Sequence, residues 1–163
     1  MTRAEREEVW NYTLDADMNA RYYRYLAARY RKREKTAKVF LAAMGSSAIA
    51  SWAIWAQAPW LWQILLGLTS ALSVTRLVSN SSENIATMSE LHAKWTILSK
   101  AYDSLWTNIQ TPTVKDTKSK FEELKNEEKI LIHVAAKLPF DSKLIEKCSC
   151  EVLAARGFSN QRR

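Results

Sequence analysis

Read for its succession of apolar and polar positions, the chain consists of amphipathic stretches on either side of one segment that has no polar face. From Val39 to Thr75, VFLAAMGSSAIASWAIWAQAPWLWQILLGLTSALSVT, there is no Asp, Glu, Lys, Arg or His, and Lys38 and Arg76 border the run. Trp, Leu, Ile and Ala occupy every helical face there, whereas a soluble helical hairpin would keep a period of 3.6. A segment that sits in hydrocarbon has to be free of charge. The run is too long for one span of about 20 residues, and Ala56-Gln57-Ala58-Pro59 supplies a break, because Pro59 disfavours helix at Ala58 and suits the first turn of a following one. The pattern predicts two spans, 39–55 and 59–78, each roughly 26–30 Å long and joined in a hairpin.

The flanks are patterned as amphipathic helices. Thr2-Arg3-Ala4-Glu5 has capping-box spacing, which predicts a short first helix carrying Val9 and Trp10. A second helix is expected from about Asp15, with Met18, Tyr22, Tyr25, Leu26 and Tyr30 on one face. That tyrosine face either packs on the helices that follow the spans or lies at the membrane surface with Tyr and Arg among headgroups. From Glu83, the apolar positions Met88, Leu91, Trp95, Leu98, Tyr102, Leu105 and Ile109 alternate at spacings of three and four. Three heptads of this kind pair helices, either with the tyrosine-rich helix of the same chain or with a second copy in a coiled coil.

Pro112 and the polar residues around it predict a linker over 111–118. A helix over 119–138 follows, stopped by Pro139, and Asp141 or Ser142 caps a last helix that carries Leu144, Ile145, Cys148, Val152 and Leu153 before Gly157. The expected fold is therefore all-α: a membrane protein with a two-helix transmembrane hairpin and a cytoplasmic helical bundle or coiled coil. Its segments are N-terminal basic helices over 1–38, the hairpin over 39–78, a heptad-bearing helix over 79–110, the linker, and a C-terminal helical pair over 119–163.

Within the spans, Ala43, Ser47 and Ser51 on the first and Gly67, Ala71 and Thr75 on the second form rows of small residues, the usual contact surface between membrane helices. Those rows close the hairpin within one chain or join copies. Trp52, Trp55, Trp60 and Trp62 flank the predicted turn, where an indole meets the headgroup level.

Charge adds an orientation. The net charge is +7, and its excess lies in residues 18–38, where eight basic residues face one acidic one. Arg21, Arg24, Arg29, Arg31, Lys32, Arg33, Lys35 and Lys38 make a basic band beside the first span, which places that border in the cytoplasm against anionic lipid. With two spans, both termini are expected on the cytoplasmic side of the cell membrane. A nucleic-acid binder would not adjoin such a band to a long uncharged segment. The mean hydropathy of −0.30 does not oppose the membrane reading, since the spans are a minor part of the chain.

The chemistry-bearing residues point away from catalysis. Cys148, Cys150, His92 and His133 lack zinc-ligand spacing, and residues two apart on a helix face nearly opposite ways. Glu122, Glu123, Glu127 and Glu128 alternate with Lys120, Lys125 and Lys129 as on a solvated helix. There is no phosphate-binding glycine loop and no nucleophile elbow, so no enzyme, metal or cofactor is expected. The spans hold no ionisable group, which argues against a proton or ion relay within one chain.

The Arg- and Tyr-rich helix ADMNARYYRYLAARYRKREKTAK, the hairpin directly after it and the heptad-bearing ENIATMSELHAKWTILSKAYDSL together resemble the SLATT group of bacterial two-transmembrane proteins over about residues 10–110. Residues 111–163 have no counterpart in that likeness. The resemblance implies a role in bacterial conflict with phage: an effector held inactive until a sensor or nucleotide-signalling partner triggers it, then assembling as a homo-oligomer that permeabilises the inner membrane. The competing expectation is a non-conducting anchor whose cytoplasmic helices recruit a partner protein.

Overall fold

The computed structural model describes residues 3–50, 64, 67, 81–108 and 114–158. They are helical, with no strand among them: α1 is Arg3–Ala50, α2 Ser81–Asn108, α3 Val114–Ala135 and α4 Ser142–Ala155. The chain divides into two compact units, one of Met1–Leu26 with Thr87–Arg163 and one of Ala27–Ala86.

α1 begins at Arg3 and is unbroken through Asp15, where the residue pattern predicts two helices. Neither Gly nor Pro occurs before Gly45, so nothing in the backbone forces a stop. At the expected junction the Thr13 hydroxyl is buried and donates to the Val9 carbonyl at 2.9 Å, so its polar group is satisfied inside the helix. Ion pairs one turn apart, Arg3 with Glu7 and Arg21 with Asp17, line its solvated side.

The first unit is an up-down-up-down bundle built on α2. Met88, Leu91, Trp95, Leu98, Tyr102 and Leu105, the heptad positions, are all buried within this chain. Trp95 is only 1% exposed. α1 runs antiparallel to α2: Trp10 packs on Trp106 with ring centroids 5.2 Å apart, Tyr12 on Tyr102 at 5.8 Å, and the His92 ring reaches the Ala20 carbonyl. α3 returns alongside α1, with Phe121 edge-on to Tyr12 at 5.5 Å and against Tyr102 at 6.1 Å. Lys118 pairs with Glu5 at 2.6 Å and Lys125 with Glu8 at 3.1 Å. These contacts begin to explain why α3 starts at Val114, so that 114–118 belong to a helix rather than to the predicted linker: residues of low intrinsic propensity are held helical by tertiary partners.

The tyrosine face of α1 packs on the other helices of this unit. Tyr22 and Leu26 are buried, the Tyr22 hydroxyl accepts from the Asp141 backbone N–H at 2.9 Å, and the Tyr25 hydroxyl donates to Glu151 at 3.1 Å. α3 ends four residues before Pro139, and after that proline Asp141 caps α4 by accepting from the Leu144 N–H. At the far end, Phe158 N–H reaches the Leu153 carbonyl and Gly157 N–H the Ala154 carbonyl, a Schellman closure for which Gly157 adopts φ +85°. The closure brings Phe158 to within 6.4 Å of the Trp10 ring.

One ionisable group is part of this core. The Glu128 carboxylate is 8% exposed and accepts from the Tyr102 hydroxyl at 3.0 Å. Burial pushes the Tyr102 phenol far above its ordinary range, so it stays a donor. Burial also raises Glu128 above the usual carboxylate value, against the opposing pull of the Tyr102 hydrogen bond.

In the second unit, α1 carries an Arg33 guanidinium against the Tyr30 ring at 6.0 Å and a Lys38–Glu34 pair at 2.7 Å. Just beyond that pair, Val39 is 60% and Phe40 39% exposed, and helical Ile64 is 54% exposed. A Cβ added to Gly67 would meet nothing within 4 Å. Ala43 and Ser47 fall within α1. The predicted turn at Pro59, its tryptophans Trp52, Trp55, Trp60 and Trp62, and the small residues Ser51, Ala71 and Thr75 lie outside the described residues, as does Ile109. Among the described residues no helix is long and apolar enough to cross a membrane.

Two outcomes test this core. Trp95→Ala is expected to cost about 3–5 kcal/mol of unfolding free energy in denaturant titration, the range for a large aromatic removed from a packed site. For Glu128, the folded state holds its proton more tightly than the unfolded chain, so stability is lost as pH rises from the ordinary carboxylate value through the raised one. Glu128→Gln keeps an acceptor for Tyr102 and removes that loss. Its melting temperature relative to the parent is expected to be higher at pH 8 than at pH 4; an unchanged difference would contradict the assignment.

Candidate functional site

α1 and α2 meet along the buried seam, and on one flank of it their polar positions open into a cleft of about 380 Å³ within the bundle unit. The register follows from helical geometry. Asp17, Ala20, Arg21 and Arg24 stand at i, i+3, i+4 and i+7 on α1. His92, Thr96, Ser99 and Asp103 form the facing row on α2, with Lys100 beside it. Arg156 reaches in from the C-cap of α4.

Four cations and two carboxylates line this space. Asp17 holds Arg21 through two contacts, at 3.1 and 3.4 Å, and Asp103 holds Arg156 at 2.9 and 3.0 Å. Those hydrogen bonds raise both guanidinium pKa values further, so the two arginines are fixed, permanently charged posts. Arg156 also stands 5.6 Å over the Trp10 ring. Arg24 lies against Tyr25 at 5.1 Å, and neither Arg24 nor Lys100 has a carboxylate partner among the described residues. The cleft thus carries a surplus of positive charge that its own acids do not neutralise.

His92 is oriented by the backbone. Its Nδ1 lies 2.9 Å from the Ala20 carbonyl oxygen, which can only accept, so Nδ1 carries the hydrogen. The neighbouring Thr96 hydroxyl donates to the His92 carbonyl at 2.7 Å. Nε2 is therefore the remaining polar atom of the ring, an acceptor in the neutral imidazole.

The structure redistributes the residues singled out from sequence. Of the basic band, Arg21 and Arg24 line the cleft instead of facing lipid, because they share a helical face with Asp17 and Ala20 within the bundle. Lys38 pairs with Glu34, and Arg31, Lys32, Arg33 and Lys35 are exposed on α1, as is Arg29. The heptad residues of α2 from Met88 to Leu105 come together as core and form no exposed pairing surface. Cys148 is buried and Cys150 exposed, on different sides of α4, and His133 is exposed. Among the described residues no three His, Cys, Asp or Glu side chains are grouped to hold a metal. The cleft itself was visible only as a helical-spaced Asp-Arg-Arg row and a His-Thr-Ser-Asp row, and nothing local joins Arg156 to them.

No protein-family model, curated protein or solved structure matches the chain.

The His92 geometry makes a direct prediction. Long-range ¹H–¹⁵N spectra at pH 8 are expected to show His92 as the Nδ1–H tautomer; an Nε2–H pattern would contradict the bond to Ala20.

Proposed function

We propose that this chain is a two-span inner-membrane effector of bacterial antiphage defence, which assembles through its uncharged segment and permeabilises the membrane when a sensor or nucleotide-signalling partner engages its helical bundle. The observation that carries the reading is the apolar surface on the uncharged segment's described residues. Val39, Phe40 and Ile64 are large and exposed, and Gly67 has open space where a side chain would stand. Uncovered apolar side chains on a charge-free stretch are what hydrocarbon solvates, and an open glycine lets a second helix backbone approach. The basic residues before Val39 set the cytoplasmic border and favour anionic lipid. On this reading the partners are the bilayer, further copies of the chain and the triggering protein.

The burial of the α2 heptads favours a second reading. With that seam spent inside the chain, the bundle offers no coiled-coil surface among the described residues, and the protein would then act as a non-conducting anchor whose bundle recruits a partner.

Membrane fractionation and dye-filled vesicles separate these readings. The effector reading expects the protein in the detergent-extracted membrane fraction, as a multimer, and dye release that Gly67→Leu or Ser47→Leu abolishes. Membrane-bound protein that releases no dye in any state, yet binds a partner tightly, would favour the anchor. Recovery as a monodisperse protein in buffer without detergent would contradict both.

A further inference from the structure

The cleft between α1 and α2 has features that neither membrane insertion nor bundle stability requires. Its volume of about 380 Å³ falls at the small end of ligand pockets, suited to a metabolite and too small for a macromolecular surface. Two of its four cations are spent on Asp17 and Asp103, which leaves Arg24 and Lys100 uncompensated on facing helices. A like-charged pair kept along a packed interface repels and lowers stability unless an anion sits between.

We propose that this cleft binds a small phosphate monoester bearing hydroxyl groups. Arg24 from α1 and Lys100 from α2 take the phosphate, whose two negative charges match the two uncompensated cations. A carboxylate ligand would satisfy one cation and leave the other. The phosphate fills only part of the space, and the remaining walls present acceptors. Asp17 and Asp103 each keep free lone pairs after holding their arginines, and His92 Nε2 is an acceptor because Nδ1–H is committed to Ala20. Such a wall accepts hydrogen bonds from the hydroxyls of a sugar or polyol phosphate. Ala20 between the two charged rows lets the ligand approach the α1 backbone.

The cleft lies wholly within the bundle unit, so this inference stands whether or not the uncharged segment enters a membrane. A phosphatidate headgroup presents the same phosphate monoester, and the probes must distinguish it from a free metabolite.

The full-length protein, purified in neutral detergent, is titrated with ribose 5-phosphate and with inorganic phosphate by calorimetry at low salt, while the His92 ring signals are followed by NMR. Saturable binding is expected for both, tighter for ribose 5-phosphate, with movement of the His92 signals. Arg24→Gln and Lys100→Gln are each expected to weaken binding about tenfold, the loss of one charge-assisted contact. Lys143→Gln, on the exposed start of α4, leaves binding unchanged. Should either cleft variant fail to fold, the wild-type His92 signals decide: no movement at saturating ribose 5-phosphate overturns the proposal. Binding that Arg24→Gln and Lys100→Gln leave intact overturns it as well. Movement of the His92 signals by phosphatidate-doped micelles, with none by ribose 5-phosphate, would assign the cleft to lipid and overturn the free-metabolite reading.

Discussion

The bundle depends on one seam, the line of Met88, Leu91, Trp95, Leu98, Tyr102 and Leu105 down α2, from which water is excluded by α1, α3 and α4 of the same chain. Large side chains at spacings of three and four bury substantial apolar area, at roughly 25 cal/mol per Å². They also dictate what can stand beside them. Tyr12 and Phe121 reach Tyr102 as ring partners, and Glu128 receives its hydroxyl. The Trp95 indole N–H has no hydrogen-bond partner among the described residues, so Trp95 contributes through packing alone and carries a desolvation cost with it.

The polar features follow from where the seam ends. Rows of a helix next to a buried stripe are half in water, and on one flank of α1 and α2 those rows hold paired and unpaired charges side by side. Pairing of Arg21 with Asp17 and of Arg156 with Asp103 fixes the walls, while Arg24 and Lys100 keep the net potential positive. Stability and binding capacity thus come from adjacent faces of the same two helices: one face is closed by packing and the other left open for an anion.

Much of the fold was legible in the sequence, for identifiable reasons. The heptad spacing marked the α2 seam, and Trp95 and Tyr102, too bulky for a slender two-stranded coil, argued for a bundle partner of the same chain. Asp141 and Gly157 marked both ends of α4 because caps are local chemistry. Two boundaries were not legible. The continuity of α1 through Asp15 depends on Thr13 bonding back to Val9 inside a packed interface, and the start of α3 at Val114 precedes a stretch held by Lys118 on Glu5. Both rest on tertiary contacts that a local pattern cannot display. The cleft was hidden for the same reason, since Arg24 reads as part of a basic run until α2 places Lys100 across from it.

The central claim is that the α2 seam is satisfied within a single chain, which confines any self-assembly to other surfaces. Amide hydrogen exchange of α2, measured in detergent over a hundredfold range of protein concentration, tests it most directly. Protection of the backbone from Met88 to Leu105 that does not change on dilution is the predicted result. Protection that collapses as the protein is diluted would mean that the seam is closed by a second copy, and would contradict the account.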